Sequence, residues 1–310
     1  MAKKIIFDTD PGVDDTMALT FALRSPELEV VGVTTVFGNA AGAVTAQNAL
    51  RLVELEGHDH IPVARGADHG VVIPALELGT QVHGEDGMGN TNPPPPKGRL
   101  LDMHAAQFIV ETVLANPGEI TLVPVGPLTN IALALRLEPR IAELAAEVVL
   151  MGGAAHVPGN ITPLAEANIY HDPHAAQMVF SAGWQVTMVG LDVTHKVVMD
   201  NTYFEKLLAA DNPAINLIRQ ILPCYRSYFD QSYGADGAIY THDPSAVAYV
   251  LRPDLFVTSQ SPVVVETEGR CMGKTIADER HRWVDYRAAS VCVDVDARAV
   301  LDLYLERMTK

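Results

Sequence analysis

At 310 residues, with 48% hydrophobic and 19% charged side chains, the chain has a globular composition and length enough for an ample core, in one large α/β domain or two ordinary ones. A formal net charge of −16 argues against nucleic acid and anionic membrane as partners, because both repel a surface that lacks basic patches; neutral or cationic small molecules remain. The N-terminus does not resemble a signal peptide, no apolar run reaches about 18 residues, and Cys224, Cys271 and Cys292 form neither a CxxC pair nor a disulfide framework, so an unexported cytoplasmic protein with reduced thiols is expected.

The first apolar run, Ile5-Ile6-Phe7, predicts a short buried strand. Asp8-Thr9-Asp10-Pro11-Gly12-Val13-Asp14-Asp15 follows directly, and Pro11-Gly12 forces a turn before the helical pattern at Met17-Ala18-Leu19. Strand alternation points Asp8 and Asp10 the same way, while Asp14 and Asp15 fall at the helix start, where backbone N–H groups favour anions. Carboxylates this crowded raise one another's pKa unless a hard divalent ion such as Ca2+ or Mg2+ collects them. A helix cap or a solvated strand end explains any one of these aspartates, but a cap needs a single oxygen and leaves the cluster unexplained.

Further strands are predicted over 29–36, 61–63, 120–125, 147–151 and 185–191, with helices over 46–53, 104–114 and 130–137 between them. This βαβ rhythm predicts an α/β fold: a single domain over 1–310 with an open, mostly parallel central sheet flanked by helices, a Rossmann-like core. Such sheets bind ligands at the carboxyl ends of their strands, the edge where the aspartates lie. Three stretches read as irregular: 66–98, with prolines at 93–96; 152–172; and 225–241. The segment 200–240 reads as helical with an aromatic-rich end, a small helical cap near the site. Polar groups gather where other strands end: Asn39, Gly126, Gly152-Gly153, Asn160, Glu166, Asn168 and His242-Asp243-Pro244, the last opening a helix over 245–251. Taken singly, Asp243 is a helix cap, Asn39 and Asn160 are turn residues, and His242 is structural.

Together the motifs resemble a known family. The run from Asp8 to Asp15 is similar to the N-terminal signature of the inosine-uridine-preferring nucleoside hydrolases, and His83-Gly84-Glu85-Asp86-Gly87-Met88-Gly89 resembles their second glycine-rich segment. Val123-Pro124-Val125-Gly126-Pro127-Leu128-Thr129-Asn130, Val149-Leu150-Met151-Gly152-Gly153, Glu166-Ala167-Asn168 and His242-Asp243-Pro244 follow in family order over nearly the whole chain.

The resemblance implies Ca2+-dependent hydrolysis of the N-glycosidic bond of ribonucleosides to ribose and free base. It implies that Asp10, Asp15, Asp243 and the backbone carbonyl of Val125 hold the ion, with Asp8 orienting them from behind. Asp10 is then the base for the attacking water, and the sugar passes through an oxocarbenium-like state. Asp14, Asn168 and Asp243 take the 2′- and 3′-hydroxyls, Asn160 and Glu166 the 5′-hydroxyl, while Asn39 and the backbone around Met151 line the ribose side. His242 serves the leaving base as donor, helped by His83, and Tyr225, Tyr228, Phe229 and Tyr233 cover it. His174, where relatives often carry an acidic residue, departs from the pattern at a helix-surface position. Trp184 and Trp283 are the only tryptophans, and with His242 kept the chain resembles the less selective or pyrimidine-preferring branch: inosine, uridine and cytidine are candidate substrates, uridine first. Relatives are commonly homodimers or homotetramers.

Two other readings compete. Asp8-x-Asp10 matches a haloacid-dehalogenase-type phosphatase, with Asp8 as nucleophile, Asp10 as acid and Mg2+ as metal, but it accounts for the first loop alone and no lysine is plainly placed for phosphate. A non-catalytic ribose- or nucleoside-binding protein would use the same cup; Asp10 and His242 speak against it.

Overall fold

The computed structural model describes residues 2–74, 78–283 and 287–310. Its central sheet begins with β1 (Lys3–Thr9), β2 (Leu28–Thr35), β3 (Val63–Arg65), β4 (Ile120–Pro124), β5 (Glu147–Met151) and β6 (Val186–Val189). Two short strands, β7 (Val198–Met199) and β8 (Ile239–Tyr240), pair apart from it; β9 (Phe256–Val265), β10 (Thr275–Ala277) and β11 (Ala288–Val295) then complete it. The spatial order is β10-β9-β11-β6-β5-β4-β1-β2-β3. Strands β1 to β6 are parallel, β11 runs parallel to β6, and β9 lies antiparallel to both β10 and β11. The sheet is thus mostly parallel with an antiparallel C-terminal edge, which the βαβ pattern did not announce.

Strand alternation explains why both faces are covered. Ile5 and Phe7 pack into one apolar cluster with Val13, Met17 and Phe21 of the helix Val13–Leu23, while Ile6 points the other way, among Ile109, Ile120 and Leu122. Each such side chain contributes roughly 1.5–3 kcal/mol by leaving water, and a polar residue at any of them would open a core face. After β1 the chain builds β2 and β3 on one side and then returns to place β4 on the other. The strand order reverses at β1 and β4, so a crevice opens outside their carboxyl ends. The four aspartates of the first turn stand there.

Boundaries depart from the sequence expectation in explicable places. The strand expected over 61–63 is Val63–Arg65, because Pro62 has no N–H to donate and only its carbonyl joins the ladder, accepting from Val33. The strand expected over 185–191 stops at Val189, and Leu191–Thr194 coils into a helical turn. The cap expected over 200–240 consists of the helices Asn201–Leu207 and Pro213–Tyr233. The second one overturns the irregular reading of 225–241: it runs 21 residues, tolerates Pro223 inside it, and buries Ile218, Ile221, Leu222, Tyr225 and Phe229 along one face. Asn212 caps its start by accepting from the Ile215 N–H, and Gly234 ends it in the left-handed conformation, φ 61°. Residues 75–77, within the stretch read as irregular over 66–98, lie outside the described residues. No helix among the described residues is long and apolar enough to cross a membrane.

Candidate active site

The end of β1 and the helix after it create a cup of buried carboxylates. Asp15 is the most tightly held: Oδ1 accepts from the Thr9 hydroxyl (2.5 Å) and the Asp10 N–H (3.2 Å), and Oδ2 accepts from the Gly12 N–H (3.1 Å) and Asn39 Nδ2 (2.7 Å). Asp10 Oδ2 accepts from the Asn39 N–H at 2.7 Å, but its Oδ1 is buried without a hydrogen-bond partner. That oxygen faces Gly126, where any β-carbon would collide with it, so glycine is required by close approach. Asp14 Oδ2 accepts from the Tyr225 hydroxyl at 3.0 Å, and its Oδ1 is also buried and unpartnered.

Asp243 opens the helix Asp243–Leu251 across the crevice. One oxygen from each of Asp14, Asp15 and Asp243 lies within 4.8 Å of the others, the one group among the described residues with the spacing of a metal site. Asp14, which the resemblance gives to the ribose, therefore sits in the tight trio, and Asp10 stands beside it rather than in it.

Burial and mutual repulsion set the electrostatics of this cup. Burial first, and then the charge of Asp15, hold Asp10 well above the ordinary carboxylate range. Asp243 is raised by burial and by the charges of Asp14, Asp15 and Asp10, and Asp15 by burial and Asp14; burial pushes Asp14 up to about 6. Asp8, beneath them, accepts from the Thr34 hydroxyl (2.5 Å) and Asn130 Nδ2 (2.8 Å) on Oδ1, leaves Oδ2 unpartnered, and is pushed by burial up to about 7. No lysine or arginine among the described residues lines the cleft. Buried carboxylates so placed are neutralised either by protons or by a hard cation, and orphaned oxygens beside an all-oxygen donor set fit the cation.

A second wall comes from the segment after β5. Asn168 Nδ2 donates to the carbonyls of Val125 (2.7 Å) and Met151 (3.2 Å), which fixes the carbonyl expected to face the ion. Glu166 binds its own loop shut: Oε1 accepts from the Asn168 N–H, and Oε2 from the N–H groups of Gly153 and Ile169. Asn160 Oδ1 accepts from the Ala167 N–H, so its amide nitrogen is the group left for a ligand.

The opposite wall is aromatic and histidine-rich. His83 Nδ1 accepts the Val13 N–H (3.1 Å), and burial pushes the ring down to about 4; it is neutral, with its proton on Nε2. His242 Nδ1 lies 2.9 Å from the Thr194 hydroxyl, and burial, with the charges of His195 and His83, pushes it down to about 3. Phe229 and Tyr240 pack around His242, and Tyr225 packs beside His83. One cleft is lined by Asp14, Asn39, His83, Val125, Met151, Asn160, Glu166, Asn168, Tyr225, Tyr228, Phe229, Tyr233, His242 and Asp243, with Asp8, Asp10 and Asp15 buried below. The cleft and the cup beneath it thus bring together the residues assigned by the resemblance to ion, ribose and base. Trp184 is buried under the sheet and, like Trp283, does not line the cleft.

Residues 5–302 match the family model described as inosine-uridine preferring nucleoside hydrolase. The chain belongs to that family. It is 41% identical to a probable uridine nucleosidase 2 of Arabidopsis thaliana, over 99% of this chain and 97% of that one. It is 40% identical to an inosine-uridine preferring nucleoside hydrolase of Crithidia fasciculata, over 100% of this chain and 98% of the other. A solved plant nucleoside hydrolase superposes with a TM-score of 0.97 at 36% identity, covering 100% of this chain and 99% of its own. As a nucleoside hydrolase the chain cleaves ribonucleosides, and the phosphatase and pure-binding readings fall. Three parts of this nucleoside hydrolase site had escaped sequence reasoning: the Tyr225–Asp14 bond, the Thr194–His242 bond, and a lip formed by Leu78, Gln81 and Val82. Thr194 follows a strand end, which was its one available signal.

Proposed function

We propose that the protein is a Ca2+-dependent ribonucleoside hydrolase with a preference for uridine among uridine, cytidine and inosine. The observation that carries the reading is the set of unneutralised carboxylates at the switch point, with a polar wall on one side and rings on the other. Asp10, Asp15, Asp243 and the Val125 carbonyl would hold the ion, which supplies fixed positive charge for water and for the ribose diol. Hard oxygen donors favour Ca2+ over softer metals.

Asp10 takes the proton of the attacking water, and its buried Oδ1, which accepts no other hydrogen bond, suits a base. Asp14, Asp243 and Asn168 bind the 2′- and 3′-hydroxyls, and Asn160 and Glu166 the 5′-hydroxyl, holding the ring while positive charge builds at C1′. Asp8 fixes the cup through Thr34 and Asn130. His242 gives a hydrogen bond to the base as negative charge develops there, with His83 alongside, and Tyr225 and Tyr228 enclose it. Uridine is favoured because His242 provides a donor where a stacking tryptophan is lacking, and because the Arabidopsis relative carries a uridine nucleosidase name. A cytoplasmic homodimer or homotetramer accords with the family resemblance.

Incubating the protein with uridine, cytidine, inosine and 2′-deoxyuridine in phosphate-free buffer, and measuring free base and reducing sugar, tests this. Uridine is expected to turn over fastest and 2′-deoxyuridine at least about 100-fold more slowly, as a site built around a hydroxyl rejects its absence. Turnover that requires phosphate would overturn hydrolysis.

A further inference from the structure

We propose that Thr194 is a positioning residue that holds Nδ1 of His242 and thereby turns Nε2, carrying its hydrogen, toward the departing base. The proposal rests on the donor role given to His242 above. The two side chains are buried, and the 2.9 Å contact between them is the one hydrogen bond that either makes among the described residues. They come from segments 48 residues apart: Thr194 closes the turn after β6, and His242 precedes the helix Asp243–Leu251.

Among the described residues, the Thr194 hydroxyl is the only group hydrogen-bonded to the imidazole. His195, Phe229 and Tyr240 pack around it with ring centroids 5.7, 6.4 and 6.1 Å away, confining the plane of the imidazole, and none of the three hydrogen-bonds it. A half-turn of the ring would set a carbon against Thr194 and leave its hydroxyl buried without a partner, a cost that disfavours the flipped state. The Thr194 hydroxyl has no other acceptor among its hydrogen bonds, so its proton lies toward Nδ1. The ring hydrogen then belongs to Nε2, on the side of the cleft that His242 lines with Tyr228 and Phe229. The same turn carries Asp192, whose carboxylate accepts the N–H groups of Ala155 and His156 at 2.9 and 2.7 Å. One turn therefore anchors the base donor and the loop leading to the ribose wall.

Thr194→Val keeps the shape and removes the hydroxyl; Thr194→Ser keeps the hydroxyl. Wild type, both variants and His242→Ala are to be assayed on uridine and on 4-nitrophenyl riboside, whose leaving group needs no donor. Thr194→Val is expected to lower kcat on uridine roughly 10- to 100-fold, part of what a positioned donor contributes, with KM held and 4-nitrophenyl riboside changed by less than about 2-fold. Thr194→Ser restores uridine turnover. Thr194→Ala replaces the valine variant if that does not fold, with the same expectations. The 15N shifts of the His242 ring, read independently of activity, should show the hydrogen on Nε2 in wild type and a mixture of tautomers without the hydroxyl. Equal losses on both substrates, full uridine activity in Thr194→Val, or an unchanged tautomer would each overturn the proposal. Should His242→Ala act selectively on uridine while Thr194→Val does nothing, Thr194 alone is dismissed; should His242→Ala slow both substrates equally, the donor reading falls and Thr194 with it.

Discussion

The two sides of the cleft are built in different ways. The ribose side stands on strand ends and the turns after them, and Asp10, Asp15, Glu166 and Asp243 are all at least 97% buried and cross-linked by short hydrogen bonds or forced together by the fold. The base side hangs on the helix Pro213–Tyr233 and the β8 corner; its polar contacts are few, its packing is ring against ring, and Tyr233 is 42% exposed. Ribose is common to every candidate substrate, so under the proposed function the hydrogen-bonded sheet edge carries the chemistry that does not vary. Under the same proposal, recognition of the base rests on the element most easily altered without disturbing the sheet.

The sharpest way to break this division is Asp10→Ala. Turnover of uridine, cytidine and inosine should fall by at least about 1000-fold together, with the fold retained by circular dichroism, because the proposed base and metal-ligand roles are lost at once. A loss confined to one base would place Asp10 on the wrong side. Asp14→Ala separates Asp14 from Asp10: bound to Tyr225 through one oxygen and free on the other, Asp14 should show its loss mainly as weakened ribose binding, a raised KM for all three nucleosides.

On the base side, Tyr228→Ala should change the inosine-to-uridine ratio of kcat/KM by roughly 10-fold, the scale of one aromatic contact, without affecting 4-nitrophenyl riboside. An equal loss on all substrates would make the ring part of the general scaffold.

The smallest expected effect is on stability. His242 is neutral in the folded chain down to about pH 3, while in the unfolded chain it takes a proton below about 6.5. Its folded value is lowered, so wild-type stability drains as pH falls from 6.5 toward 3, by on the order of 1 kcal/mol per pH unit. His242→Gln lacks that drain. The Tm gap between wild type and variant, measured in chelator, should shift in favour of the variant between pH 7.5 and pH 5; a constant gap would mean an ordinary, solvated imidazole.

The same division explains what was legible in the residues. Ile5-Ile6-Phe7 followed by four aspartates specifies a buried strand and a charged turn within one short window, and alternation and turn chemistry are local rules. Tyr225–Tyr233 obeys a local rule too: Ile218, Leu222, Tyr225 and Phe229 recur at helical spacing, but Pro223 and the intervening polar residues masked it. The antiparallel edge from β9 to β11 and the bonds from Tyr225 to Asp14 and from Thr194 to His242 depend on contacts between distant segments, which no window of sequence contains. The position of Asp14 beside Asp15 and Asp243 is likewise a property of the packed fold.

The claim beneath all of this is that the carboxylate cup exists to hold one divalent ion. Calorimetric titration of Ca2+ into chelator-treated protein, alongside Asp15→Asn, tests it most directly. One ion bound per chain, with uridine hydrolysis returning in step and both lost in Asp15→Asn, is the predicted result; full hydrolysis in excess chelator with no calcium bound would contradict it.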